Sequence, residues 1–387
     1  MGAWRPARVV GGGRNGEEWG RRARGLPQNR PLPSPPAARS IGPVDKRIVT
    51  RLGDGSAVLM TAGELRADLE DGTRTAAARA SVEPLTAAEL EHLSDIFTSA
   101  ARFTAVDIGD EVVLSFDGCG TQQQGSRVDA LVQFEQCLAT DSVELYHMDY
   151  SYKAVKPIVP SEQQVMKEAQ ERVTIPVHYG AQPDLGRYSK PDGPCDNWAE
   201  LLPALRIDEA RAAQEEALAL AVEDMVYVAT AMWEAGADGI NLDTAGAAGD
   251  ADLLAALLVV ERLRAAHPDM GIMVGMAGEQ VLGMHGRLTY RGVRLAGLKP
   301  AGQLELVQQA GATVFGPAVT VNTARSVAWN TARALTYIKP CMAIARIPVH
   351  ANVGMGVGGV PMNTFAPVDA VSRCSRACVD ILKVDGL

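Results

Sequence analysis

From Val143 onward the chain alternates short apolar runs with helical stretches at a nearly regular interval, and this spacing constrains the fold more than any other feature. The runs begin near Val143 (VELYHMDY), Thr174 (TIPVHYG), Gly239 (GINLDT), Gly271 (GIMVGMAG), Thr313 (TVFGP) and Ile347 (IPVHANV), 31, 65, 32, 42 and 34 residues apart. A strand with its crossover helix takes about thirty residues, so most intervals hold one such unit. The long interval also contains the amphipathic stretch from Ile207 to Trp233 and a Pro/Gly/Asp-rich loop from Gln182 to Asp196. Ala235-Gly-Ala237 and Ala310-Gly-Ala312 each end a helix on glycine just before a strand, where a left-handed residue is wanted. Repeated parallel βα units without an antiparallel meander predict an α/β fold of the (β/α)8 TIM-barrel type, or failing that a doubly wound sheet.

Side-chain alternation favours the barrel. Ile240 and Leu242 fall on one face of their strand, with Gly239, Asn241 and Asp243 on the other; Ile347, Val349, Ala351 and Val353 oppose Pro348, His350 and Asn352. One face meets helices and the other meets something polar, as in a lumen that opens on an active site; a doubly wound sheet tends instead to unbroken apolar runs. After Ile347 the interval predicts a helix from near Pro367 to Leu382 and a strand opening near Val384, where four residues remain. The expectation is therefore a barrel incomplete at its carboxyl end, with about six strands plus the start of a seventh. Closing the ring would take roughly two further units, on the order of 60 to 80 residues.

Charge separates the beginning of the chain from the rest. Of 37 Lys and Arg and 46 Asp and Glu, the first 47 residues hold 10 and 3, which leaves 27 against 43 for the remainder. Residues 1–47 are also rich in Pro and Gly and lack periodic apolar positions, so they are predicted to be a disordered basic leader. Residues 48–125 read as a small α+β cap: a hairpin turning on Gly53-Asp-Gly55, then two helices opened by the capping boxes Thr61-Ala-Gly-Glu64 and Thr86-Ala-Ala-Glu89. Residues 126–387 are assigned to the partial barrel. The acidic body argues against nucleic-acid partners. No apolar run approaches the 18 or more residues of a membrane span, the longest being Leu253 to Val260, and the expected location is the cytoplasm. Six scattered cysteines (Cys119, Cys137, Cys195, Cys341, Cys374, Cys378) form no CxxC pair and read as reduced buried thiols; no metal-ligand spacing is present.

Several long strings point to one family. His147-Met-Asp-Tyr-Ser-Tyr-Lys-Ala-Val-Lys-Pro157, His178-Tyr-Gly-Ala, Pro191-Asp-Gly-Pro194, Asp238-Gly-Ile-Asn-Leu-Asp-Thr-Ala-Gly-Ala-Ala-Gly-Asp250, Gly275-Met-Ala-Gly-Glu279, Val281-Leu-Gly-Met-His-Gly286, Val314-Phe-Gly-Pro317 and Gly354-Met-Gly-Val-Gly-Gly359 make residues 48 to 387 resemble the dimethylamine:corrinoid methyltransferases of methylamine metabolism. The resemblance implies transfer of a methyl group from dimethylamine to Co(I) of a corrinoid carried by a cognate corrinoid protein, leaving monomethylamine. No cofactor is then bound directly. It also implies a pyrrolysine, encoded by UAG, after a Val-Asp-Gly-(Ile or Leu) sequence. Reading that codon as stop ends a chain at Leu387, the point the strand spacing identifies as mid-strand.

The chemistry needs a group to deprotonate the ammonium, one to protonate the imine of pyrrolysine, and one to stabilise the leaving amine. Asp243 and Glu279, at strand carboxyl ends among small residues, are the first catalytic candidates, with helix capping or loop bracing as the alternative. His147 and Asp149 alternate onto one face and can form an Asp-oriented imidazole or a structural pair. His178 and His350 share a repeated Ile-Pro-Val-His setting and, with Asn241 and Tyr150, are candidate substrate-binding residues; Tyr146 and Tyr179 can also present ring faces to a methylated cation, or simply pack. Gly354 to Gly359 reads as a tight loop leaving room for substrate or the corrinoid face, or as a phosphate nest.

Two other readings remain: a non-catalytic barrel fragment that binds a corrinoid protein or a sister subunit, and a phosphate-binding barrel lyase or aldolase. Exposed sheet edges favour self-association into a homo-oligomer. Sequencing past the Leu387 codon is expected to find UAG followed by open frame, and the 387-residue form made in a host without pyrrolysine is expected not to demethylate dimethylamine. Corrinoid methylation by that purified form would overturn this expectation.

Overall fold

The computed structural model describes residues 47–99, 114–118, 121–125, 177–180, 185–237, 239–242, 249–319, 322–351 and 367–387. Asp54 starts the order at the amino-terminal side. Its carboxylate accepts from the Ser56 amide at 2.9 Å and hydroxyl at 2.6 Å, Gly55 adopts φ 87°, and strands β1 (Ile48–Arg51) and β2 (Ala57–Met60) pair antiparallel. Helices α1 (Ala62–Ala80) and α2 (Ala87–Thr98) follow, each opened by the expected capping box. The Glu64 amide donates to Thr61 Oγ1 at 3.2 Å and the Thr61 amide to Glu64 Oε2 at 2.7 Å; Thr86 and Glu89 repeat this at 3.3 and 2.6 Å. Each box satisfies two backbone donors that would otherwise lack partners, and an N-cap of this kind contributes about 1 kcal/mol.

The main sheet is mixed, and its parallel part follows chain order. Strands β3 (Leu114–Gly118), β4 (Thr121–Gly125), β5 (Val177–Gly180), β6 (Gly239–Leu242) and β7 (Gly271–Ala277) lie side by side, with the small hairpin β8 (Thr289–Tyr290) and β9 (Val293–Arg294) standing apart and β10 (Val314–Pro317) next to β7. Within the main sheet the pairings β5–β6, β6–β7 and β7–β10 are all parallel, and parallel bridges Phe315↔Val349 and His350↔Gly386 extend the succession through two more segments. Between these strand positions lie α3 (Ile207–Glu234), α4 (Asp250–Ala266), α5 (Pro300–Ala310), α6 (Val327–Ile344) and α7 (Val368–Ala377), the last continuing as a π-turn over Cys378–Leu382. One helix per step is the arrangement that the spacing predicts. Gly236 and Gly311, at φ 100° and 103°, provide the two left-handed helix ends. The sheet does not close into a barrel among the described residues, and the expected first strand near Val143 lies outside them.

On its other side β5 pairs antiparallel with β4, in the register Thr121↔Tyr179 and Gln123↔Val177. The hairpin of β3 and β4, which the sequence assigned to the cap, is thus part of the main sheet. Polar Thr121 to Gln124 carry no apolar face for a separate core, and β5 offers them an open row of backbone groups. Residues Lys46–Leu387 form one compact unit, so the cap and the sheet share it.

Two apolar clusters hold this unit together. One lies between the sheet and α3 to α5 and contains Ile240, Leu242, Ile272, Val274, Phe315 and Val349. The other gathers α1, α2, α6 and α7 around Leu65, Leu69, Leu93, Leu335 and Ile338. Full burial of each such side chain is worth about 1.5–3 kcal/mol. Within the second cluster Thr73 Oγ1 lies 2.8 Å from Thr336 Oγ1 and accepts from the Leu85 amide. Arg51 Nε spans the Asp369 carboxylate at 2.8 and 2.9 Å, fastening β1 to α7. Cys195, Cys341, Cys374 and Cys378 are buried and unpaired as disulfides; burial pushes the Cys341 and Cys374 thiols up to about 12. Cys119 and Cys137 lie outside the described residues. Among the described residues no helix is long and apolar enough to cross a membrane.

The approach of α1 to α6 depends on Gly72, where an added Cβ would sit 2.5 Å from the Trp329 carbonyl oxygen. Gly72→Ala is expected to destabilise the protein by about 1–3 kcal/mol despite the better helix propensity of alanine, because two backbones must part. Urea unfolding of the variant measures it; an unchanged midpoint would contradict this packing.

Candidate active site at the carboxyl ends of the parallel strands

Strand alternation divides the parallel sheet into two chemically different faces. Ile240, Leu242, Ile272, Val274, Phe315 and Val349 point into the helix-covered core. The positions between them are Asn241, Met273, Gly275, Gly316 and His350, and pairing Asn241↔Met273↔Val314 places neighbours on the same face. Packing on this face is close: a Cβ on Gly316 would meet Met273 Cε at 2.6 Å and Gly275 Cα at 3.0 Å, so only glycine fits there without a neighbour shifting. Asn241 is 7% exposed, and its Oδ1 is buried with no hydrogen-bond partner among the described residues. An unsatisfied buried acceptor costs about 1–3 kcal/mol, a cost that a donor supplied by a ligand removes. His350, 5% exposed, sits beside Val349 on this polar side.

Glu279 lies two residues beyond β7, at the strand end where the sequence put it. Its carboxylate is engaged by a residue the sequence reading did not single out. Arg333 of α6 donates from Nε to Oε1 and from Nη2 to Oε2, both at 2.9 Å, a bidentate pair with side chains only 6% and 15% exposed. The Arg333 guanidinium also lies 5.4 Å from the Trp329 ring centroid and 5.1 Å from that of Tyr337. Burial works against its charge, but the hydrogen bonds and field of Glu279 outweigh this and raise its pKa. A signal was present in the sequence: Trp329, Arg333 and Tyr337 recur at four-residue steps on one face of a mostly apolar helix.

A cavity of about 760 Å³ opens beside this pair, lined by Arg74, Thr75, Ala78 and Arg79 of α1, by Glu279, by Asn322 and Thr323 beyond β10, and by Trp329 and Arg333. Lys299 is close by, its Nζ donating to Gln280 Oε1 at 2.8 Å and lying 6.0 Å from the Tyr337 ring. Burial lowers the Lys299 pKa; Glu279 opposes that shift, while Arg79 and Arg333 add to it.

A second cluster secures the loop after β7. Buried Asp250, in the first turn of α4, accepts from the His285 amide at 3.0 Å and the Gly286 amide at 2.7 Å, and His285 Nε2 is 2.9 Å from Glu215 Oε1. These bonds occupy the Asp250 carboxylate in holding the loop. Among the described residues no group of three or more His, Cys, Asp or Glu is placed to hold a metal ion.

The other candidates are only partly visible. The structure brings Asn241 and His350 to one face and sets Glu279 at the adjoining strand end. His178 and Tyr179 belong to β5, in register with Gly239 and Ile240. Asp243, His147, Asp149, Tyr146, Tyr150 and the Gly354 to Gly359 loop lie outside the described residues. A family model described as dimethylamine methyltransferase matches residues 46–387. No solved structure matches the chain.

Arg333→Leu is expected to cost about 3–5 kcal/mol by leaving the Glu279 carboxylate sheltered and unpaired, whereas adding Glu279→Leu should recover much of that loss. Chemical denaturation of the two single variants and the double variant measures the coupling; additive losses would show that the pair does not act as a unit.

Proposed function

The chain belongs to the dimethylamine methyltransferase family, and from that premise we propose that it moves a methyl group from dimethylamine to the Co(I) corrinoid of a separate corrinoid protein. In this reading the parallel sheet is part of a TIM-type (β/α) barrel, with the reaction at the carboxyl ends of its strands. The C–N bond breaks with its electron pair left on nitrogen, the methyl passes to the metal as a cation equivalent, and the nitrogen takes a proton to leave as monomethylamine.

The observation that carries the reading is Asn241. Dimethylamine carries one N–H between two methyl groups, and the buried Asn241 Oδ1 has no hydrogen-bond partner among the described residues. A neutral acceptor suits the amine after it has lost the proton it carries in water, since that is the form whose nitrogen can attack an electrophile. Glu279 has its charge balanced by Arg333, so its role is to present an oriented carboxylate rather than to neutralise an ammonium. Proton removal then falls to Asp243 or to the His147 and Asp149 pair, with His350, His178 and Tyr150 shaping the pocket.

The test is Asn241→Leu, which keeps the branching and heavy-atom count of the side chain, adds some bulk, and deletes the acceptor. In enzyme isolated with its corrinoid protein from the cells that encode it, kcat/KM for dimethylamine is expected to fall at least about tenfold, while the protein gains on the order of 1 kcal/mol in stability. Full turnover in the variant would remove Asn241 from the reaction and with it the main support for this reading.

A further inference from the structure

The 760 Å³ cavity beside α1 has a charge opposite to that of its surroundings. Beyond residue 47 the chain carries 27 Lys and Arg against 43 Asp and Glu, yet the cavity wall contains Arg74, Arg79 and Arg333 and a single carboxylate, Glu279. That carboxylate is consumed by Arg333. Arg74 pairs at the rim with Asp71 of its own helix and stays 72% exposed, while Arg79 is exposed and has no ion-pair partner among the described residues. The field of these cations reaches inward, since Arg79 and Arg333 both act to disfavour the charge on Lys299. Like charges held together around a concave space repel one another, and an anion placed among them relieves that repulsion.

We propose that this cavity binds an oxyanion of a small molecule, a phosphate or a carboxylate, with Arg79 and Arg74 as the principal contacts. Guanidinium groups present two parallel N–H donors that match the oxygen spacing of either anion. Thr323 and Asn322 lie on the same wall and bring a hydroxyl and a side-chain amide, whereas the Thr75 hydroxyl is already donated to the Asp71 carbonyl at 2.8 Å. Arg333, fixed by Glu279 and by the rings of Trp329 and Tyr337, contributes its field from a rigid position. The site goes beyond the methyl-transfer reading and does not rest on it: its principal contacts are Arg74 and Arg79, although its wall also includes Glu279.

The test measures thermal unfolding of the 387-residue chain in sodium phosphate, sodium succinate and sodium chloride at matched ionic strength and pH. A ligand that binds only the folded state raises the midpoint in a saturable way. Phosphate or succinate is expected to raise it beyond chloride, and whichever arm does so identifies the anion. In Arg74→Ser/Arg79→Ser the apparent affinity should weaken at least about tenfold. Both positions are exposed, so the double variant should fold; Arg79→Gln alone replaces it if circular dichroism shows otherwise. The proposal is overturned if neither oxyanion exceeds chloride, or if the variant keeps the full shift.

Discussion

A guanidinium in the interior of a helix bundle must be paired or it unfolds its surroundings, and Arg333 is such a group. It projects from the middle of α6, a helix whose other central positions are buried and mostly apolar. Desolvating an isolated charge costs several kcal/mol, so this residue is tolerable only with Glu279 opposite and with aromatic faces on both sides. The requirement acts on three elements together. The turn after β7 is held to α6, Trp329 and Tyr337 are fixed as flanking rings, and α1 is drawn against the same helix through Gly72. The position of the strand-end carboxylate is therefore set by a helix that belongs to a different βα step.

Much of the architecture was legible because it is written in local spacing. The Asp-Gly hairpin, both Thr-x-x-Glu helix starts, the two glycine helix ends and the order of parallel strand positions each follow from patterns within about thirty residues. The alternation in Gly239 to Leu242 placed Ile240 and Leu242 on the core face, where they are found, with Asn241 between them. Hairpin β3 and β4 was misplaced because its partner, β5, lies more than fifty residues further along, and pairing between distant strands leaves no local mark. Arg333 was missed for a related reason: its meaning depends on Glu279, fifty-four positions earlier, and a lone arginine in an apolar helix does not announce a partner. Glu279 was recognised by position, but its state of charge compensation was not readable.

The two polar regions at the strand ends differ in kind. On the sheet face the buried Asn241 Oδ1 has no hydrogen-bond partner among the described residues, in a strip where Gly316 packs closely on Met273. In the cavity beside α1 the selection is by sign of charge, with several cations and one compensated carboxylate.

The clasp between Arg51 and Asp369 joins residues 318 positions apart, and α1 finds its apolar partner in α6, roughly 250 residues downstream. During synthesis at about 5–20 residues per second the first two helices therefore leave the ribosome on the order of ten seconds or more before α6 exists to complete the cover over Leu65 and Leu69. Such a nascent chain exposes a sticky helical pair for most of its own translation. Its safe maturation in a cell is then a matter of chaperone occupancy on the emerging amino-terminal half as much as of the stability of the finished molecule.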